Sequence, residues 1–194
     1  TSITVSNNTP IVVYRNRSDE EIRDISISKL KNNIWSDPIT INEDNWEIHG
    51  CPVNGPSIDS NGELVAVAWF TLSNGEPTIN LKFSKDNGES FGSLIKINDD
   101  GTRPIGRIDL EMLKDGNVIV SWIDVKNGLG KISLRKVDLN GNISEIINPS
   151  NISTKRISGF PQIQNINNDI ILSFTKDAKT KKNIETFKIP VSLF

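Results

Sequence analysis

Four runs of apolar and β-branched residues, each closing on an aromatic, recur along the chain. They are Ile11-Val12-Val13 before Tyr14, Leu64 to Ala68 before Trp69, Val118-Ile119-Val120 before Trp122, and Ile170-Ile171-Leu172 before Phe174. Uninterrupted runs of this length predict strands buried on both faces. Asn61-Gly62, Asp115-Gly116 and Asn168-Asp169 precede the last three runs and suit the positive φ angles of tight hairpins. Each hairpin then joins a first strand to a second. The first strands are predicted at Thr1 to Val5, Pro56 to Asp59, Ile108 to Leu113 and Phe160 to Gln164.

After each aromatic comes a polar connection and an alternating segment: Ile25-Ser26-Ile27, Ile79-Asn80-Leu81, Ile132-Ser133-Leu134 and Ile184 to Phe187. Alternation marks a half-buried third strand. A fourth strand is expected to end at Ile41-Asn42, Ile97-Asn98 and Ile147-Asn148, with no equivalent in the last unit. The spacing of about 50 to 56 residues is that of a blade-sized repeat. Four antiparallel strands per unit, repeated without helices, predict an all-β chain on the plan of a β-propeller. The units are 1–45, 46–99, 100–149 and 150–194. A β-sandwich is the alternative, and the aligned aromatics favour repetition.

Composition narrows the function. The 194 residues are 36% hydrophobic and 24% charged, with a formal net charge of −2. Without a concentrated basic footprint, no nucleic-acid partner is expected. No apolar stretch approaches the roughly 20 residues of a membrane span. His49 and Cys51 are the single histidine and cysteine, too few for a structural zinc site, and no metal or cofactor is expected. The start Thr1-Ser2-Ile3-Thr4-Val5 carries no signal-peptide pattern and reads as the start of a fragment.

In the second unit, Ser84-Lys85-Asp86-Asn87-Gly88-Glu89-Ser90-Phe91 fits the Asp-box pattern S-x-D-x-G-x-x-(F/W). In such a turn an Asp accepts turn amides, Gly supplies left-handed backbone, and the aromatic tucks between sheets. Ser28 and Trp35 form a degenerate copy that lacks the Asp and Gly, and the third unit keeps Asp138 and Gly141. One good box beside eroded ones resembles the bacterial neuraminidase repeat proteins, the sialidase-like propellers. Tyr14-Arg15-Asn16-Arg17, Gly50 to Pro56 and Ser158-Gly159-Phe160-Pro161 are similar to segments of bacterial exo-sialidase-like proteins of uncertain substrate. The resemblance implies a sialidase-type β-propeller, of which the chain supplies about four blades of a six-bladed ring. The remaining blades would come from a missing N-terminal region; a complete four-bladed propeller is the alternative. It further implies that Ser84, Asp86, Gly88 and Phe91 are fold elements facing away from the ligand, and that the protein is extracellular or periplasmic.

On this plan the second-to-third connections and the inter-blade loops share one face, approximately residues 15–24, 42–56, 71–78, 98–109, 124–130, 148–160 and 175–183. Arg15, Arg17, Arg23, Arg103, Arg107 and Arg156 all fall there, and Arg135 does not. Planar bidentate recognition of a carboxylate or sulfate calls for Arg in particular, so an anionic ligand is expected, with Arg15, Arg107 and Arg156 the main contacts. The competing reading pairs these arginines with Asp19, Glu20, Glu21, Asp24, Asp99, Asp100 or Asp109 as ordinary ion pairs. Trp46, His49 and Asn54 share an inter-blade loop with Cys51 and could combine an aromatic platform with amide contacts to a sugar. For Trp46 and Cys51 a buried packing role is the favoured alternative.

A retaining sialidase uses a Tyr nucleophile with carboxylate partners. Tyr14 is the sole tyrosine and holds the repeat position of Trp and Phe, so it reads as a core aromatic. The candidate acid/base residues are Asp19, Asp24, Asp109 and Asp124, none with an assignable partner. Two functions stay open. One is a sialidase-like exo-glycosidase acting on an acidic sugar such as sialic acid. The other is a non-catalytic propeller that binds glycans or proteins.

Overall fold

The computed structural model describes residues 1–177 and 182–194, apart from the side chains of residues 177 and 182. It consists of four antiparallel sheets laid down in chain order. The first holds β1 (Ser2–Ser6), β2 (Thr9–Arg15), β3 (Ile25–Lys31), β4 (Ile34–Trp35) and β5 (Ile39–Asn42), the last two pairing with opposite ends of β3. The second holds β6 (Ser57–Asn61), β7 (Leu64–Thr71), β8 (Thr78–Ser84) and β9 (Ile95–Lys96). The third holds β10 (Arg103–Met112), β11 (Val118–Lys126), β12 (Leu129–Val137) and β13 (Ile147–Ile152). The fourth holds β14 (Gln162–Ile166), β15 (Asp169–Asp177) and β16 (Lys182–Pro190), with no fourth strand among the described residues.

Three apolar clusters join the sheets in succession. Ile11, Val13, Ile25 and Ile27 of the first sheet meet Ile58, Val65, Val67 and Trp69 of the second. On the other side of β7, Ala66, Ala68 and Phe70 meet Leu110, Val118, Val120 and Trp122 of the third sheet. Ile119, Ile123, Ile132 and Leu134 then meet Ile163, Ile170, Leu172 and Phe174 of the fourth. The pleat explains why the apolar runs are continuous: alternate residues of β7 and β11 serve two different interfaces. Each fully buried aliphatic residue contributes about 1.5–3 kcal/mol by leaving water, so the three junctions carry most of the fold's stability.

The register makes the repeat quantitative. Trp69, Trp122 and Phe174 all point toward the preceding sheet. Tyr14, at the same position, has no preceding sheet among the described residues. It is only half-buried, and its hydroxyl lies 3.0 Å from Ser28 Oγ. The core role expected for Tyr14 is met only in part among the described residues, where it is half-buried. Among the described residues no strand pairing joins the first sheet to the fourth, and the sheets form a propeller-like run that is not closed.

The turns also differ in detail from expectation. The last hairpin turns at Asn167-Asn168, with Asn167 at φ 61°, one residue earlier than predicted. In the first unit, Ser28 and Trp35 form no copy of the Ser84–Phe91 turn. Lys31 pairs with Ile34 across Asn32 and Asn33, both at positive φ, which makes a tight two-residue hairpin. Strand β10 starts before Ile108 and carries a bulge at Gly106 and Arg107, both at positive φ. Strand β13 begins at Ile147, where a fourth strand was expected to end.

Candidate functional site

Antiparallel succession sends the β1–β2, β6–β7, β8–β9 and β12–β13 turns to one end of the sheets. The β2–β3 and β7–β8 connections and the inter-sheet loops go to the other. The predicted front loops lie at that second end, except that the segment 175–183 falls partly outside the described residues.

The turn end is closed by its own side chains. Ser84 Oγ donates to Asp86 Oδ1 at 2.7 Å and accepts the Gly88 amide at 2.8 Å. Ser90 gives its amide to Asp86 Oδ1 and its hydroxyl to Oδ2. Asn87 and Gly88 take positive φ, and Phe91 packs against the cluster between the first two sheets. Asp138 closes the equivalent turn of the third sheet by accepting the amides of Asn140 and Asn142. Hydrogen bonds from Ser90 and Ser84 hold the Asp86 carboxyl down at about 2. A carboxylate depressed in the folded state stabilises above its unfolded pKa and loses that contribution as pH falls through the folded one. Stability is thus expected to drop between about pH 4 and pH 2, and Asp86→Asn to flatten that drop, as checked by thermal midpoints across that range.

The front end holds the predicted arginines, and each is placed distinctly. Arg15 donates to three backbone carbonyls, Nη1 to Arg23 O at 2.7 Å, Nη2 to Phe70 O at 2.6 Å and Nε to Asn54 O at 3.3 Å. Its guanidinium also stacks 4.8 Å from the centre of the Trp46 ring, which meets Phe70 edge-on. Burial lowers the Arg15 pKa to about 10, with Asp44 and Asp24 opposing the shift. Arg107 is buried and donates Nη1 to Ser158 Oγ at 2.6 Å and to Gly159 O, and Nη2 to Thr154 O at 2.9 Å. Burial lowers its pKa too, and the charge of Arg156 adds to this.

Asn54 sits between these two. Its Oδ1 accepts the Arg107 amide at 3.0 Å and its Nδ2 donates to Ile105 O, against the bulge at Gly106. Arg15 and Arg107 lie on either side of Asn54, and the polar atoms of all three are engaged in tying loops of neighbouring sheets. Arg17 and Arg23 both pair with Glu21, and His49 pairs with Glu47 at the surface. Arg156 is exposed, and its side chain has no hydrogen-bond partner among the described residues. Cys51 is exposed, not a buried filler.

The carboxylates show the same habit. Asp24 accepts the amides of Asn45 and Trp46. Asp109 accepts the amides of Leu110 and, across the junction, Ile163 at 2.8 Å. Asp59, one sheet earlier, takes Ser60 and Met112 in the same way. Asp124 accepts the Val125 amide. Burial raises the pKa of Asp59, Asp109 and Asp124 despite these bonds. Asp19 is exposed.

Where the innermost strands converge, a polar opening of about 270 Å³ is lined by Thr1, Ser2, Ser57, Asp109, Phe160 and Gln162, with Val53, Gly55, Pro56 and Ile108. Phe160, at its rim, is 42% exposed. That volume lies just under the roughly 300 Å³ at which ligand sites usually start, room for one small ring at most. Phe160 belongs to the Ser158–Pro161 segment that carries the family resemblance, but the sequence assigns neither it nor Gln162 or Ser57 a place in a binding site. A larger groove of about 470 Å³ at the turn end has an apolar floor of Phe83, Phe91, Ile95 and Leu139. The oxygens of Asp86 and Ser90 at its edge are used within the turn. Among the described residues no group of acidic, His or Cys side chains could hold a metal ion, and no helix is long and apolar enough to cross a membrane.

No protein-family model and no curated protein sequence matches the chain. Solved structures do. The Hadza microbial sialidase Hz136 superposes with a TM-score of 0.62 at 14% identity, over 96% of this chain and 43% of its own. A protein of unknown function from Dyadobacter fermentans DSM 18053 gives 0.65 at 12% identity, over 98% and 60%. The xylan β-1,4-xylosidase of Bacillus halodurans C-125 gives 0.59 at 10%, over 96% and 38%. Other matches are glycoside hydrolases of families 43 and 32, so the sialidase is one neighbour among several. The chain spans 38–60% of the length of these three proteins. At such identities the likeness establishes the fold alone, a β-propeller-like arrangement of the kind glycoside hydrolases use.

Proposed function

We propose that the chain is a non-catalytic, sugar-binding portion of a propeller of the glycoside hydrolase type, and that it takes one sugar ring in the opening beside Phe160. One observation carries this reading. The side chains suited to anion capture or proton transfer, Arg15, Arg107, Asp24, Asp109 and Asp124, spend their polar atoms on backbone groups. Proton transfer needs a group free to reach the reacting atom, whereas Phe160 and Gln162 stand at an open mouth. A flat ring against the Phe160 face, with a hydroxyl contact to Gln162 Oε1, is the ordinary chemistry of sugar binding.

An acidic sugar such as sialic acid is the second reading, favoured by the exposed guanidinium of Arg156 close in sequence to Phe160. In that reading the carboxylate contact falls to Arg156 alone, and hydrolysis needs groups beyond those described. Further sheets that close a larger ring would enlarge the same site without changing which residues of this chain face it. An extracellular or periplasmic site of action accords with a glycan ligand.

Fluorogenic β-xylosides, α-arabinosides and α-sialosides separate the readings. The expected result is no turnover of any of them by the chain. Hydrolysis that disappears in Asp109→Asn, with folding intact by circular dichroism, would overturn the non-catalytic reading.

A further inference from the structure

The groove of about 470 Å³ at the turn end lies where the repeat loses an aromatic. Ser36 N donates to Lys29 O at 2.9 Å, Gly92 N to Phe83 O at 2.8 Å and Ser144 N to Lys136 O at 2.9 Å, which marks one register position in the first three sheets. The residues just before these donors are Trp35, Phe91 and Ile143. Phe91 packs against the cluster between the first and second sheets. Lys29, on the first sheet, is buried at the same junction, and its Nζ meets Glu89 of the second turn at 2.5 Å. Ile143 joins none of the three clusters and stays 44% exposed. At the second junction Phe83 holds the Lys29 position on the floor of the groove, and the third turn, residues 136–144, has no aromatic to cover it.

We propose that this groove binds a small aromatic carboxylate, whose ring takes the place of the aromatic that the third turn lacks. An apolar cavity of about 150 Å³ already admits benzene, and sites for larger ligands start at roughly 300 Å³, so the groove has room for two fused rings. The floor of Phe83, Ile95 and Leu139 supplies the apolar contact. Three donors of exposed lining residues, Lys85 Nζ, Ser93 Oγ and Asn140 Nδ2, have no hydrogen-bond or ion-pair partner among the described residues. They select an acceptor group on the ring, and a carboxylate makes the stronger, charge-assisted bond with the ammonium.

The neighbouring acids leave Lys85 free for this role. Asp86, the one acid that lines the groove, is turned to Ser84 and Ser90, and Glu89 is held by Lys29 and Lys31. Both sheets that form the groove lie inside the run, and the opening beside Phe160 is at the opposite end. The two sites can therefore be occupied independently.

Calorimetric titration of the chain with 2-naphthoate tests this. The expected result is one site with a dissociation constant of about 1 mM or below. The neutral 2-naphthamide should bind about threefold more weakly, as should 2-naphthoate to Lys85→Gln. Ile143→Phe restores the aromatic of the other turns, and Ser93→Trp brings a ring in from the opposite wall. Each should fill the groove and weaken binding about tenfold or more, with the unfolding midpoint retained because both positions are exposed. No binding of 2-naphthoate up to about 10 mM, or binding that survives either filling variant in folded form, overturns the proposal. Equal affinity for the acid and the amide overturns the choice of a carboxylate.

Discussion

Trp69→Ala is expected to lower the free energy of unfolding by about 4 kcal/mol, the range for deleting a large aromatic from a tight core. The indole is fully buried between the first two sheets, where Ile11, Val13, Ile25, Ile27, Val65 and Val67 surround it. Its loss opens a cavity that β-strands held by two ladders cannot collapse into. The same change strands Asp44, whose Oδ2 accepts the indole N–H at 2.6 Å and whose pKa burial already raises. Trp69→Phe keeps most of the packing and removes only that bond, so it should cost less, about 1–2 kcal/mol. Denaturant unfolding of the three proteins checks both values. A loss under about 1 kcal/mol for Trp69→Ala would mean that the first junction is not a core.

The second large effect concerns Arg107. Its guanidinium serves Ser158, Gly159 and Thr154 of the next inter-sheet loop from a buried position, and Arg107→Ala leaves those acceptors without donors. About 3 kcal/mol is expected, since each unmet buried acceptor costs about 1–3 kcal/mol. Backbone geometry adds a discriminating detail. Arg107 sits at φ 57° in the β10 bulge, where a side chain costs roughly 1–2 kcal/mol that glycine avoids. Arg107→Gly should therefore be the less damaging variant, by about 1 kcal/mol, although it deletes more atoms. If the residue instead served a ligand, both variants would weaken binding and leave the unfolding midpoint in place.

Much of the fold is legible in the residues because its signals are local. The aromatic at the end of each second strand, the Gly and Asn of the turns and the alternation of the third strands follow directly from side-chain parity and backbone φ. Where a turn can be made in two registers, that logic slips, as at Asn167 and at Asn32-Asn33. Tyr14 shows a different limit. Its repeat position is clear, but burial depends on a neighbouring sheet that no property of the residue itself records.

The site was less legible for a related reason. Arg15 and Arg107 share one end of the sheets with Asn54, yet an arginine's sequence neighbourhood does not tell a ligand carboxylate from a backbone carbonyl. Both are planar oxygen acceptors, and Phe70 O or Thr154 O leaves no mark in the sequence. The structural role of Asp109 and Asp59 leaves no mark for the same reason, since the amides of Ile163 and Met112 that they hold belong to the next sheet. Phe160 stands beside Pro161 in the sequence, but its exposure at the opening follows from how four sheets converge.

The most direct test of the division between structural ties and sugar site is a pair of calorimetric titrations with neutral and sialylated oligosaccharides. They would be run on the unaltered chain, Phe160→Ala and Arg107→Gly, with unfolding midpoints measured in parallel. The predicted result is sugar binding that Phe160→Ala abolishes at an unchanged midpoint, and that Arg107→Gly retains at a lowered midpoint. Binding unaffected by Phe160→Ala but lost in Arg107→Gly at an unchanged midpoint would contradict it.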